Sequence, residues 1–188
     1  MQLLDRDKRD GYIYDPALKG LDTSFWKTIS GTPAITGSGA SSKIRLNAAE
    51  MATFLQHEYA DIDFLVNVPV KPTAGDSRHW GFRIIGSTNP GAAYFDITGA
   101  VFTAKSVDSY GNAQTTTLTW SDPLYTATET NFRINWDKDT IFFYINGSIV
   151  ATHVTNIPYT ALPIDIKNGN SDNMDIGIVN VRKAAGII

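Results

Sequence analysis

The sequence predicts an all-β protein, an antiparallel β-sandwich of jelly-roll type with at most one short helix. Three observations point there. Short runs rich in Thr, Val, Ile, Phe and Tyr recur along the 188 residues, separated by Gly, Asn, Asp or Pro. The stretch FRINWDKDTIFFYINGSIVATHV, residues 132–154, alternates, turns, alternates again and turns on Asn146-Gly147. Its middle segment, with Ile141, Phe143 and Ile145 on one face and Phe142 and Tyr144 on the other, is apolar on both sides. Such a strand must be covered on both faces, and a sandwich covers it.

Taken in order, residues 1–22 read as a polar, irregular N-terminal arm, and residues 23–188 as one sandwich domain. Ser30 to Ser42 is rich in Gly and Ser and reads as a surface loop. Asn47 followed by Glu50 has the spacing of a capping box, and AAEMATFLQ carries good helix formers, so a short helix is expected there, with Met51, Phe54 and Leu55 as its apolar stripe. Strands are expected at Asp61 to Val70 and His79 to Gly86. Ala92 to Thr98 and Val101 to Lys105 flank Gly99, which marks a hairpin or a bulge. Thr115 to Trp120 is a Thr-rich strand on a wetter face. In the meander, Phe132, Ile134 and Trp136 share one face, and Asn146-Gly147 is a type I′ turn signal because both residues tolerate positive φ. Leu162 to Ile166 and Met174 to Arg182 close the chain, joined by a polar turn. The sum is about a dozen strands at roughly 8–12-residue spacing.

Bulk properties remove whole classes of function. Without cysteine there is no disulfide and no thiolate nucleophile or ligand. Net charge is −3 with a pI near 5.5, and the nearest basic run, Arg6 to Arg9, alternates with acids, so nucleic acid is not an expected partner. No apolar run approaches the ~18 residues of a membrane span. The first residues are charged and lack an apolar core, so no signal peptide is read there.

A strand ending in NVPV, then HWGFRIIG, AAYFDITGAVFTA, NFRINWDKDTIFFYINGSIVATH and a final MDIGIVNVRK, over about residues 60 to 183, resembles the concanavalin A-like lectin/glucanase superfamily, and within it the laminarinase-type glycoside hydrolases. The resemblance implies a concanavalin A-like jelly roll with a concave sheet that meets carbohydrate. Its glycanase members carry Glu-x-Asp-x-x-Glu or Glu-x-Asp-x-Glu on a central strand, one Glu as nucleophile and the other as acid/base. Retaining hydrolysis needs those carboxyl groups about 5–5.5 Å apart. The matching segment here is Tyr94 to Gly99. Tyr94 stands at the first glutamate position, Thr98 or Gly99 at the second, and only Asp96 is left, so the resemblance implies a fold without that hydrolysis. The acid pairs Asp137/Asp139 and Asp172/Asp175 are placed in turns, facing no common groove.

Sugar rings stack on aromatic faces while Asp, Asn or Arg hold their hydroxyls. Trp80, Arg83, Tyr94, Asp96 and Trp120 are the candidate carbohydrate-binding set; Trp136 belongs to the core. His57, His79 and His153 have no nucleophile-elbow motif beside them and read as polar strand or loop residues. No cofactor is expected; the resemblance suggests a structural calcium at the oxygen-rich stretch Asn168 to Asp175, although Asn-Gly and Ser-Asp-Asn are also ordinary turn residues. The function expected is a non-catalytic surface or recognition module. The leading form is a virion structural protein, a capsid decoration or tail-associated subunit on the particle or cell exterior, able to bind glycan and meeting neighbouring subunits or copies of itself through its arm. The alternatives are a free-standing carbohydrate-binding lectin or module, and a glycoside hydrolase with a displaced acid pair.

Overall fold

The computed structural model describes residues 11–68, 73–84, 91–119, 129–170 and 172–183. They form two antiparallel sheets packed face to face, as a jelly roll requires. The first sheet has eight strands: β1 (Gly11–Tyr14), β3 (Ala34–Thr36), β4 (Lys43–Leu46), β6 (Ala60–Asn67), β11 (Thr130–Trp136), β12 (Ile141–Ile145), β13 (Ser148–His153) and β15 (Met174–Lys183). Their order is β13-β12-β11-β6-β15-β4-β3, with β1 also paired to β15. The second has seven: β2 (Trp26–Ser30), β5 (Ala49–His57), β7 (Ser77–Arg83), β8 (Ala92–Thr98), β9 (Val101–Val107), β10 (Ala113–Leu118) and β14 (Leu162–Asn168), in the order β10-β9-β8-β7-β14-β5-β2.

The meander forms as expected. Asn146 (φ 49°) and Gly147 (φ 80°) both sit in the left-handed region that a type I′ turn demands. Gly99 (φ 59°) opens the tight connection between Thr98 and Val101, which pair with each other. Phe132, Ile134, Trp136, Ile141 and Phe143 all face the interior. There Trp80 stacks on Phe95 (5.9 Å between ring centres) and meets Phe132 edge-on at 4.9 Å, so one aromatic layer joins the two sheets.

Residues 49–57 are a strand, not the expected helix. Ala48 takes a left-handed conformation (φ 46°) where a helix would begin, and β5 pairs with β14 on one side and β2 on the other. Two ladders of hydrogen bonds outweigh the few tenths of a kcal/mol per residue that separate Ala, Glu and Met from β-formers. The stripe dissolves with the helix: Met51 is buried, while Phe54 is 59% exposed. The one α-helix among the described residues is a single turn, α1 (Pro16–Lys19), capped by Asp15, whose carboxylate accepts from the Ala17 N–H at 2.8 Å. It lies within the segment read as an irregular arm. The described part of that arm packs on its own sandwich: β1 pairs with β15 from Gly11↔Arg182 to Tyr14↔Val179, and Tyr14 is buried against Phe25 and Trp26.

Two imidazoles link the sheets. His153 on β13 is fully buried, its Nδ1 2.9 Å from the Ser106 hydroxyl and its Nε2 3.0 Å from that of Thr116, so β13 is bound to β9 and β10 of the other sheet. His57 on β5 meets the Tyr12 hydroxyl of β1 at 3.1 Å. Burial lowers both histidines from the ordinary 6.5 to about 4, and pushes the Tyr12 phenol up. Each histidine is therefore neutral in the folded chain at pH 5 but protonated in the unfolded one. The unfolded state binds more protons between about 6.5 and 4, so stability is full above that window and falls as pH drops through it. Urea midpoints measured from pH 7.5 to 4 should decline, and in His153→Gln the slope should shrink by about one proton.

Candidate functional site

Strand alternation divides the residues of the seven-stranded sheet between two faces. On β7, Arg78, Trp80 and Phe82 turn into the protein, which leaves His79, Gly81 and Arg83 on the outward face. On β8, Phe95 and Ile97 turn inward, and Ala92, Tyr94, Asp96 and Thr98 outward. On β14, Ile164 and Ile166 are core and Asp165 and Lys167 are outward; on β5, Met51 is core and Glu50 and Ala52 are outward. The register aligns these outward residues in two rows across the sheet. One runs Ala52, Asp165, Gly81, Tyr94, Lys105, Thr115; the other runs Glu50, Lys167, His79, Asp96, Thr103, Thr117.

Where the rows cross β5, β14 and β7, a compact polar cluster forms. His79 Nε2 lies 2.6 Å from Asp165 Oδ2, and the Lys167 ammonium lies 3.6 Å from Glu50. One ligand-capable atom from each of Glu50, His79 and Asp165 lies within 4.8 Å of the other two. Arg83 folds back along its own strand until a guanidinium nitrogen is 3.0 Å from His79 Nδ1. Gly81, between them on the same face, has no side chain to obstruct that contact. Arg83 also lies 5.5 Å above the Tyr94 ring, Lys105 lies 5.9 Å from it, and His79 meets the ring edge-on at 5.8 Å. The carboxylates are the deep members, with Asp165 0% and Glu50 8% exposed, while Lys167, Arg83 and Lys105 are half-buried.

The sequence-derived set separates on this sheet. Arg83, Tyr94 and Asp96 do come together on the outward face. Trp80 does not: it is fully buried in the aromatic layer between the sheets, one residue out of phase with the outward positions of β7. Trp120 lies outside the described residues. Glu50, His79, Asp165, Lys167 and Lys105 were not in the set. A signal for them existed, because a charged residue at every second position of an apolar strand (Asp165 and Lys167 in LPIDIKN) marks an outward face. Glu50 was hidden by the helical reading, and only the topology brings it beside Asp165.

Two other chemistries can be placed. Ser106 and His153 form a hydroxyl–imidazole pair, but both are fully buried and Thr116 stands where a triad would have an acid, so the pair holds sheets together. In the oxygen-rich stretch, Asn168 Nδ2 donates to the carbonyls of Leu46 and Asp172, and Asn170 donates to Asp76. The buried Arg78 guanidinium lies 3.7 Å from Asp76 and 4.0 Å from Asp172. Asp175 is on strand β15 rather than in a turn, and takes a two-pronged contact from Arg45 at 2.7 and 2.8 Å.

No protein-family model matches the chain, and no curated protein matches it. Solved structures do. The laminarinase catalytic domain from Thermotoga maritima MSB8 is similar over 94% of this chain and 100% of its own, with TM-score 0.71 and 12% identity. A glycoside hydrolase family 16 endo-glucanase from Bacteroides ovatus, in complex with G4G3G-2F-DNP, is similar over 90% of this chain and 99% of its own, with TM-score 0.70 and 13% identity. The binding domain of Paraclostridial Mosquitocidal Protein 1 is similar over 90% of this chain and 46% of its own, with TM-score 0.66 and 13% identity. The fold is therefore a jelly-roll β-sandwich like that of these laminarinase and endo-glucanase structures, as the sequence resemblance implied.

Gly81 fixes how closely β7 and β8 approach under this cluster. A methyl group there would stand 2.5 Å from the Ala93 carbonyl oxygen and 2.6 Å from the Tyr94 Cα, both backbone atoms. Gly81→Ala should lower the unfolding free energy by about 1–3 kcal/mol in urea titrations.

Proposed function

We propose that the chain is a non-catalytic carbohydrate-recognition module that binds glycan on the outward face of its seven-stranded sheet. The observation that carries this reading is the outward patch on β7, β8 and β9, where Arg83 and Lys105 lie over the largely buried Tyr94 ring and Asp96 lies on the same face. Charged donors and acceptors at strand spacing, about 4.8 Å apart, suit the hydroxyl pairs of a sugar chain lying across the strands. Solved structures of this fold that are named for acting on glucans or are complexed with one support the class of ligand, and another is named as a binding domain. The virion reading draws nothing from these relatives.

A second reading has one observation in its favour. Glu50 and Asp165 bring oxygens within 4.8 Å of each other on neighbouring strands, which suits a displaced acid pair. Their environment speaks for recognition instead. A nucleophile must reach the anomeric carbon, and Asp165 has no exposed surface and is held by His79. On β8 itself the outward positions hold a single carboxylate, Asp96.

A glycan array followed by calorimetry on the β-glucan oligosaccharides it selects tests both. The wild type should bind without releasing reducing sugar, and Arg83→Ala and Asp96→Asn should each weaken binding about tenfold or more, the cost of about one charge-assisted hydrogen bond. An array with no bound glycan sinks the recognition reading, and β-glucan cleavage that vanishes in Glu50→Gln replaces it with the hydrolase.

A further inference from the structure

We propose that Glu50, His79 and Asp165 form a site for one divalent transition-metal ion of the zinc class. The three side chains come from β5, β7 and β14, adjacent strands of one sheet, and converge to within 4.8 Å. One imidazole nitrogen with two carboxylate oxygens is a ligand set that leaves a coordination position open, and the imidazole favours Zn²⁺ or Co²⁺ over Mg²⁺ or Ca²⁺. Ligand atoms around a tetrahedral zinc ion stand about 3.3 Å apart, so the cluster closes on one with side-chain shifts of about an ångström.

A second observation points to a ligand. Asp165 is fully buried, its Oδ2 faces His79, and its Oδ1 has no hydrogen-bond partner among the described residues. A buried carboxylate oxygen without a donor is costly, and a cation seated among the three groups supplies its partner. Two carboxylates match the double positive charge while the imidazole stays neutral. Lys167, against Glu50, and Arg83, 3.0 and 3.1 Å from the two ring nitrogens of His79, are both half-buried side chains that must swing toward water as the ion enters. The ion takes the place of the proton between His79 Nε2 and Asp165 Oδ2, and that proton passes to Nδ1 or to solvent. The site borders the proposed glycan face, sharing Arg83 with it, but its own ligands are the deep members of the cluster, and it differs from the oxygen-rich stretch of residues 168–175.

The test is calorimetric titration of the chelator-treated full chain with ZnCl₂ and CoCl₂ at neutral pH, with visible absorption of the Co²⁺ form. One ion per chain is expected, with a rise in melting temperature on loading. Glu50→Gln and His79→Gln should each weaken binding about tenfold or more, and Asp165→Asn likewise where it folds; Asp139→Asn, in an exposed turn, should bind as the wild type does. Glu50 is nearer the surface than Asp165, so its variant decides the matter if Asp165→Asn does not fold. Absence of stoichiometric Zn²⁺ or Co²⁺ binding, or binding unchanged in Glu50→Gln and His79→Gln, overturns the proposal.

Discussion

The aromatic layer between the sheets positions everything that faces outward from the seven-stranded sheet. Trp80, Phe95, Phe102 and Phe132 lie ring against ring, with centroids 4.9 to 6.1 Å apart. Burying them fixes the phase of β7 and β8, because side chains in a strand alternate with period two. Once Trp80 and Phe82 are inside, His79, Gly81 and Arg83 have to be outside. A slip of one residue would expose Trp80 and bury Arg83 in β7, or expose Phe95 and bury Asp96 in β8, which no local interaction on the surface could repay. The outward cluster is thus precise because the layer beneath it tolerates a single register.

That dependence explains which parts were legible in the sequence. The hairpin at 141–153 could be read to the residue, since the Asn146-Gly147 turn and the alternation on either side of it are local chemistry. Tyr94, Arg83 and Asp96 could be read because each falls on the polar phase of its own strand. Trp80 misled because aromatic residues suit a sugar platform and a core equally well; its phase, shared with Phe82, was the deciding information. The segment 49–57 misled because its composition favours a helix, while the force that makes it a strand comes from β2 and β14, distant in the chain. The trio of Glu50, His79 and Asp165 depends on β14 inserting between β5 and β7, a fact of topology that no local pattern encodes.

The two outward faces of the sandwich make a useful contrast. On the eight-stranded sheet, Arg133 grips Asp61 with two hydrogen bonds of 2.7 and 2.6 Å while stacking 5.0 Å from Tyr144, and Arg182 pairs with Asp63. Each carboxylate there has its cation, an arrangement that needs nothing further to be stable. The seven-stranded sheet uses the same residue types with less economy. Its carboxylates lie deeper than its cations, Lys167 stands 3.6 Å from Glu50, beyond hydrogen-bond reach, and one oxygen of Asp165 has no donor among the described residues.

Native sheets pair most of their buried polar atoms, so a buried carboxylate oxygen without a donor on the outward side of a sheet calls for a reason, as do the inward Arg78 and tryptophan nitrogens that lack an acceptor among the described residues. Folding alone does not supply one: apolar residues at 50 and 165 would pack as well and avoid the desolvation of two charges. A face that carries this cost retains polar atoms whose partners arrive from outside the chain. On the function proposed above, the seven-stranded sheet is the working surface of the molecule, and the arginine–aspartate pairs of the other sheet are scaffold.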